Sequence, residues 1–225
     1  MTAEVKEIKK SYGRKEVLRG ASFRAALGSC VGILGANGTG KSTLLRILAG
    51  VLRADAGAFL LDGEDLLKNE RRRAAQVAYV PQTTPLIEEL SARDNLRLWY
   101  EKEAMERSLE DGVLRQLGVD AFLGSRASSL SGGMRKRLTI GCAMAASPAV
   151  LLLDEPTAAL DLAGKEKILR CFESFRDAGG LLVMASHDPW ELELCNDWQL
   201  LRGGRLEPYR YPGSREALAA DLELK

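Results

Sequence analysis

Gly35-Ala36-Asn37-Gly38-Thr39-Gly40-Lys41-Ser42-Thr43 follows the short apolar run Cys30–Leu34 and opens a helical pattern that reaches about Ala49, closed by Gly50. Glycines at this spacing let successive backbone N–H groups turn inward and cradle phosphate oxygens. The helix start adds its dipole to the same point. Lys41 supplies a point charge for the β- and γ-phosphates, and Ser42 offers a hydroxyl to Mg²⁺. The pattern G-x-x-x-x-G-K-[ST], placed between a strand and a helix, marks a nucleoside-triphosphate site in an α/β fold.

Outward from that loop, strand-like pieces lie at Val5–Ile8 and Val17–Phe23 before it, and at Ala58–Leu61 and Val77–Val80 after it. From about Thr84 to Ala146 the chain reads as mostly helical, with Ser91 and Asp94 spaced as a capping box ahead of Leu96. Val150–Leu153 and Leu181–Ala185 are continuous apolar runs, as in a parallel sheet buried on both faces. The helical pattern Lys165–Phe175 separates them, which is the βαβ rhythm. The expected architecture is one α/β domain over residues 1–225 with a mostly parallel sheet and a helical insertion at about 84–146. Ser214–Leu224 reads as one more short helix.

Composition narrows the function further. The chain has 225 residues, 46% of them hydrophobic, enough for a sizeable core. Lys plus Arg is 32 and Asp plus Glu is 31, a net charge of +1, which argues against a nucleic-acid binder. No run approaches the roughly 18 apolar residues of a membrane span, and Met1–Lys10 carries charges where a secretory signal would need an apolar core. A cytoplasmic protein is expected. Cys30, Cys142, Cys171 and Cys195 form no C-x-x-C pair and read as reduced packing residues. His187, the single histidine, excludes a multi-histidine metal site.

Val150-Leu151-Leu152-Leu153-Asp154-Glu155 is an apolar strand ending in two carboxylates. Such a strand can deliver Asp154 to Mg²⁺ at the sheet edge, and Glu155 can polarise a water for attack on the γ-phosphate. Leu130-Ser131-Gly132-Gly133-Met134 precedes a helical pattern from about Arg135 to Ala146. Ser131 is a good N-cap, and the glycines permit close approach of another backbone. A second anion-binding helix terminus, far in sequence from the first, is the informative feature.

With these motifs in hand, the chain resembles the nucleotide-binding subunit of an ATP-binding-cassette (ABC) transporter. The resemblance spans Val5 to about Leu206 and adds an antiparallel β subdomain to the expected fold. Tyr12 falls where the family stacks an aromatic ring on adenine. Gln82, after Pro81, matches the loop glutamine that senses Mg²⁺ and the membrane partner. Leu130–Met134 matches the family signature, usually Leu-Ser-Gly-Gly-Gln. Asp154 and Glu155 match the Mg²⁺ aspartate and the catalytic glutamate. Ala159-Leu160-Asp161 matches the loop that follows, and His187 matches the switch histidine at the γ-phosphate. The catalytic set implied is Glu155, His187 and Lys41, with Ser42, Gln82 and Asp154 around Mg²⁺. Two departures stand out: Met134 replaces the usual glutamine, and Ala158-Ala159 stands where a serine is common. Met134 followed by Arg135-Lys136-Arg137 looks like the branch of drug, polysaccharide and haem exporters.

The resemblance implies ATP hydrolysis in a dimer of two copies, or of one copy and a homologous ATPase. Two MgATP would lie between the phosphate loop of one chain and the signature of the other. The translocation path would belong to a separate integral membrane permease, which places the chain on the inner face of the cell membrane. Two other readings compete. A non-transport ABC ATPase of an assembly or regulatory complex would share these motifs. A phosphate-loop kinase or GTPase would lack Leu130–Met134, and a GTPase would need an N-K-x-D-like motif, which the sequence does not contain. Arg71-Arg72-Arg73 reads as a solvated face. Trp99 and Tyr100 suit either a docking surface or the core of the insertion.

Overall fold

A computed structural model describes residues 1–158 and 160–213 of the chain. Ala159 and the expected helix at Ser214–Leu224 lie outside the described residues. In chain order the elements are β1 (Thr2–Tyr12), β2 (Lys15–Ala26), β3 (Cys30–Leu34), α1 (Lys41–Leu48), β4 (Ala56–Leu61), β5 (Glu64–Asp65), α2 (Glu70–Gln76) and β6 (Val77–Val80). There follow α3 (Ala92–Arg97), α4 (Lys102–Glu110), α5 (Val113–Gln116), α6 (Gly132–Ala143), β7 (Val150–Asp154), α7 (Leu162–Asp177), β8 (Leu181–Ala185), α8 (Pro189–Glu193), β9 (Asp197–Arg202) and β10 (Arg205–Pro208).

Two sheets form. One is antiparallel in the order β2-β1-β4-β5; the other is six-stranded in the order β10-β9-β3-β8-β7-β6. In the larger sheet β9, β3, β8, β7 and β6 run parallel, and β10 joins antiparallel at the edge. Alternation along its central strands sets the layers, because successive side chains leave opposite faces. Val150 and Leu152 of β7, with Leu181, Val183 and Ala185 of β8, enter a core shared with α1 and the antiparallel sheet. Leu151, Leu153, Leu182 and Met184 enter a second core with Leu96, Leu114, Leu138 and Phe172 from the helices. Both faces of these strands are therefore covered, which accounts for their unbroken apolar sequence.

The expected strands at Val5–Ile8 and Val17–Phe23 extend to eleven and twelve residues. Their polar residues face solvent along the hairpin, so an apolar run underestimates their length. The helix expected from Arg135 begins instead at Gly132, because Ser131 Oγ accepts from Met134 N at 3.3 Å and sets the cap there. It ends at Ala143. Ser91 caps α3 as the spacing suggests, accepting from Asp94 N at 3.1 Å.

Candidate functional site

β3, β8 and β7 are parallel neighbours, so their C-terminal ends share one edge of the sheet. The phosphate loop leaves β3 there, Asp154 and Glu155 end β7, and His187 follows β8 by two residues. This is the edge at which open α/β sheets bind ligands.

The loop conformation needs its glycines. Gly35 has φ 147°, and a Cβ there would stand 2.8 Å from Leu201 O. Gly40, the residue before α1, has φ 111°, and a Cβ would meet Val17 Cγ1 at 2.8 Å. Lys41 is 8% exposed. Its Nζ donates to Gly35 O at 2.6 Å and Ala36 O at 3.1 Å, closing the loop on itself. Burial lowers the Lys41 pKa, while Glu155 and Asp154 act to raise it.

Asp154 is buried and accepts two hydroxyls, Ser42 Oγ at 3.0 Å and Tyr79 OH at 3.1 Å. Burial first, and then the charge of Asp154, push the Tyr79 pKa up to about 12. Glu155 takes φ 47°, a left-handed conformation uncommon outside glycine and found at functional sites. Its N–H donates to Ala185 O at 3.0 Å. Gln82 Nε2 donates to Glu155 Oε2 at 3.0 Å, and His187 Nδ1 lies 3.5 Å from Oε1. Asn37, Gly38, Gly40, Lys41, Ser42, Thr43, Gln82, Glu155 and His187, with Val17, line a cavity of about 540 Å³.

The donor set fits magnesium. Ser42 Oγ and Asp154 Oδ1 are close enough to share one small cation. Both are oxygens, and one carboxylate with water and phosphate oxygens is the usual Mg²⁺ environment.

Ser131, Gly132, Gly133 and Asp161 are not part of that cavity. They line another, of about 350 Å³, which shares no residue with the first. Asp161 Oδ1 caps α7 by accepting from Gly164 N at 2.9 Å. Met134 is partly buried and packs toward the helical core. Tyr12 ends β1 half exposed, 5.8 Å from Lys10 Nζ, and does not line the phosphate-loop cavity.

Other expectations divide. Arg71 and Arg72 are exposed, but Arg73 is partly buried and donates to Leu66 O at 3.1 Å. Trp99 is 65% exposed, whereas Tyr100 packs inward and donates to Gly141 O at 3.0 Å. All four cysteines are buried and free, and Cys30 Sγ stands 3.2 Å from Cys195 Sγ, a proximity their spacing conceals. Burial alone pushes the Cys171 pKa up to about 12. Three residues near the carboxylates escaped the sequence reading. Tyr79 looks like an ordinary strand residue, Lys136 looks like part of a basic run, and Glu191 looks like an exposed helix acid. In fact Glu191 is 1% exposed, and its Oε1 accepts from Thr157 N at 2.7 Å. Burial raises its pKa.

The family profile described as ABC transporter matches residues 18–158. A Nod factor export ATP-binding protein I of Paraburkholderia xenovorans is 37% identical over 207 residues, covering 90% of this chain and 68% of that protein. The linearmycin resistance ATP-binding protein LnrL of Bacillus subtilis is 31% identical over 210 residues, covering 90% and 67%. Among solved structures, an ATP-binding subunit of an ABC transporter superposes with a TM-score of 0.86 at 26% identity, covering 99% of this chain and all of that one. A dimeric ATP-binding cassette in a post-hydrolysis state, bound to ADP and Pi, gives 0.81 at 26% identity, with 93% and 99% covered. The chain belongs to the ABC transporter family, as its ATP-binding and ATP-hydrolysing subunit.

Proposed function

We propose that the chain is a single ATPase domain that powers export through a separate membrane permease, two copies closing around two MgATP. The observation that carries the two-copy site is the separation of the phosphate-loop cavity from the Ser131–Gly133 cavity within one chain. Each cavity offers a helix N-terminus to an anion, and a two-fold dimer can bring one of each together twice. Export is supported by the relatives named for Nod factor export and linearmycin resistance.

In this reading Lys41 leaves the loop carbonyls for the β- and γ-phosphates. Ser42, Asp154 and Gln82 would hold a magnesium ion, which would supply positive charge against the phosphates. Glu155 accepts the proton of the attacking water, and His187 turns from Glu155 toward the γ-phosphate, where charge grows. Tyr12 stacks on the adenine. Ser131, Gly132, Gly133 and Met134, with Asp161, serve the partner copy's nucleotide.

No helix among the described residues is long and apolar enough to cross a membrane. An apolar groove of about 370 Å³, lined by Tyr79, Pro85, Leu86, Trp99, Cys142 and Pro148 among others, suits a permease segment at the inner membrane face. Affinity purification of the tagged chain from solubilised membranes tests this. An integral membrane protein should copurify with the parent and not with Trp99→Glu. Recovery of only soluble proteins with the parent would overturn the transport reading.

A further inference from the structure

Lys136 lies on α6, one turn beyond the Ser131 cap, and is 4% exposed. Lysine is almost never this buried without partners. Its Nζ donates to Pro81 O at 2.9 Å and to Gln82 O at 3.1 Å. These carbonyls belong to the loop that leaves β6, so one ammonium ties the signature helix to the loop carrying Gln82. The Gln82 side chain then donates to Glu155 Oε2. Burial lowers the Lys136 pKa, and the charges of Glu191, Asp154 and Glu155 oppose this. Arg135 and Arg137, on either side, behave differently. Arg135 binds Thr84 Oγ1, Glu88 and Ala127 O, and Arg137 binds Leu117 O. Arg135 thus reaches the far part of the loop after β6, whereas Lys136 alone of the three bonds its first two carbonyls, those of Pro81 and Gln82.

We propose that Lys136 is a positioning residue that transmits movement of the signature helix to Gln82 and Glu155 of the same chain. This deepens the two-copy reading and rests on it. Ser131 and Gly133 face the nucleotide of one site, while Gln82 and Glu155 act in the other. Lys136 therefore joins the two ATP sites through one polypeptide. A helix is stiff along its axis, so a shift at its first turn reaches Lys136 within about 8 Å of rise. Two hydrogen bonds carry it to the loop backbone, and the Gln82 amide carries it to the carboxylate.

The test uses the full chain with Lys136→Met, which keeps the aliphatic stem, and Lys136→Arg, which keeps charge and donors. Steady-state hydrolysis is measured against ATP concentration, and trinitrophenyl-ATP binding is measured separately. Loss of two charge-assisted hydrogen bonds predicts that Lys136→Met lowers kcat about tenfold to a hundredfold, with analogue affinity changed by less than about threefold. Its Hill coefficient should fall to one, and Lys136→Arg should recover most of both. Because Lys136 acts through Gln82, the double variant with Gln82→Ala should be no worse than the poorer single variant. A Lys136→Met enzyme with parental kcat and cooperativity overturns the proposal. So do equal losses of affinity and turnover, or additive effects with Gln82→Ala. If Lys136→Met does not fold, Lys136→Gln, whose amide falls short of the carbonyls, takes its place with the same expectations. A parent that shows neither ATP-dependent dimers nor cooperativity removes the two-copy reading and the proposal with it. A cooperative parent with an equally cooperative variant removes the proposal alone.

Discussion

Nδ1 of His187 lies 3.5 Å from Oε1 of Glu155, while the Gln82 amide donates to the other oxygen of that carboxylate, Oε2. The three side chains are thus one another's partners. In the proposed ATP-bound state each would exchange this contact for another partner: a water for Glu155, Mg²⁺ for Gln82 and the γ-phosphate for His187.

Glu155→Gln should bind ATP as the parent does and lose about 10²–10⁴-fold in turnover, since an amide is a poor proton acceptor. The ATP-bound dimer should persist on a sizing column. Hydrolysis at the parental rate would remove Glu155 from the proposed role.

For His187→Ala the expected signature is a split between kinetic parameters. A contact to charge that grows in the transition state costs about 10²-fold or more in kcat, with little change in nucleotide affinity. Equal losses in both would assign His187 to structure.

Met134→Gln should alter hydrolysis by roughly tenfold at most, the worth of one hydrogen bond at a partly wet interface. The Ser131 cap uses the Met134 backbone N–H, which every residue but proline supplies. A thousandfold change, in either direction, would show that the side chain itself governs the site.

Tyr79→Phe removes the hydroxyl from Asp154 Oδ2 and should destabilise the fold by about 1–3 kcal/mol, the cost of a buried acceptor left unpaired. The Tyr79 pKa is raised from 10.0 to about 12, so its stabilisation is complete below pH 10 and lost as pH rises through 12. The difference in unfolding free energy between parent and variant should therefore stay flat from neutral pH to 10 and shrink between pH 10 and about 12. A difference that stays flat through pH 12 would mean that the phenol ionises normally and that Asp154 does not hold it.

Lys41→Ala and Ser131→Arg, each with little activity alone, should recover on mixing. Random pairing gives about half mixed dimers, each with one whole site, so roughly a quarter of parental activity returns if the sites are independent. ATP-dependent mixed dimers should appear in parallel. Absence of both recovered hydrolysis and mixed dimers would refute the shared site.

Read alone, the sequence determined the features that neighbours in the chain settle. The Gly35–Thr43 loop, the Ser91 and Ser131 caps, the buried strands Val150–Leu153 and Leu181–Ala185 and the order of the motifs all follow from local backbone preference and periodicity. The precise start of α6 was missed by three residues because cap geometry outweighs the apolar pattern that marks a helix body. Tertiary structure alone decided which distant groups meet. The order β3-β8-β7-β6 puts Tyr79 beside Asp154 and Gln82 beside Glu155, across 75 and 73 residues. Tertiary packing also partly buries Tyr100 while leaving Trp99 in a groove, turns Lys136 from one of three basic residues into a tie between helix and loop, and holds the N-termini of α1 and α6 at separate cavities. Strand order and the packing of helices on the sheet arise from long-range contacts, and no pattern confined to a few adjacent residues encodes their distances.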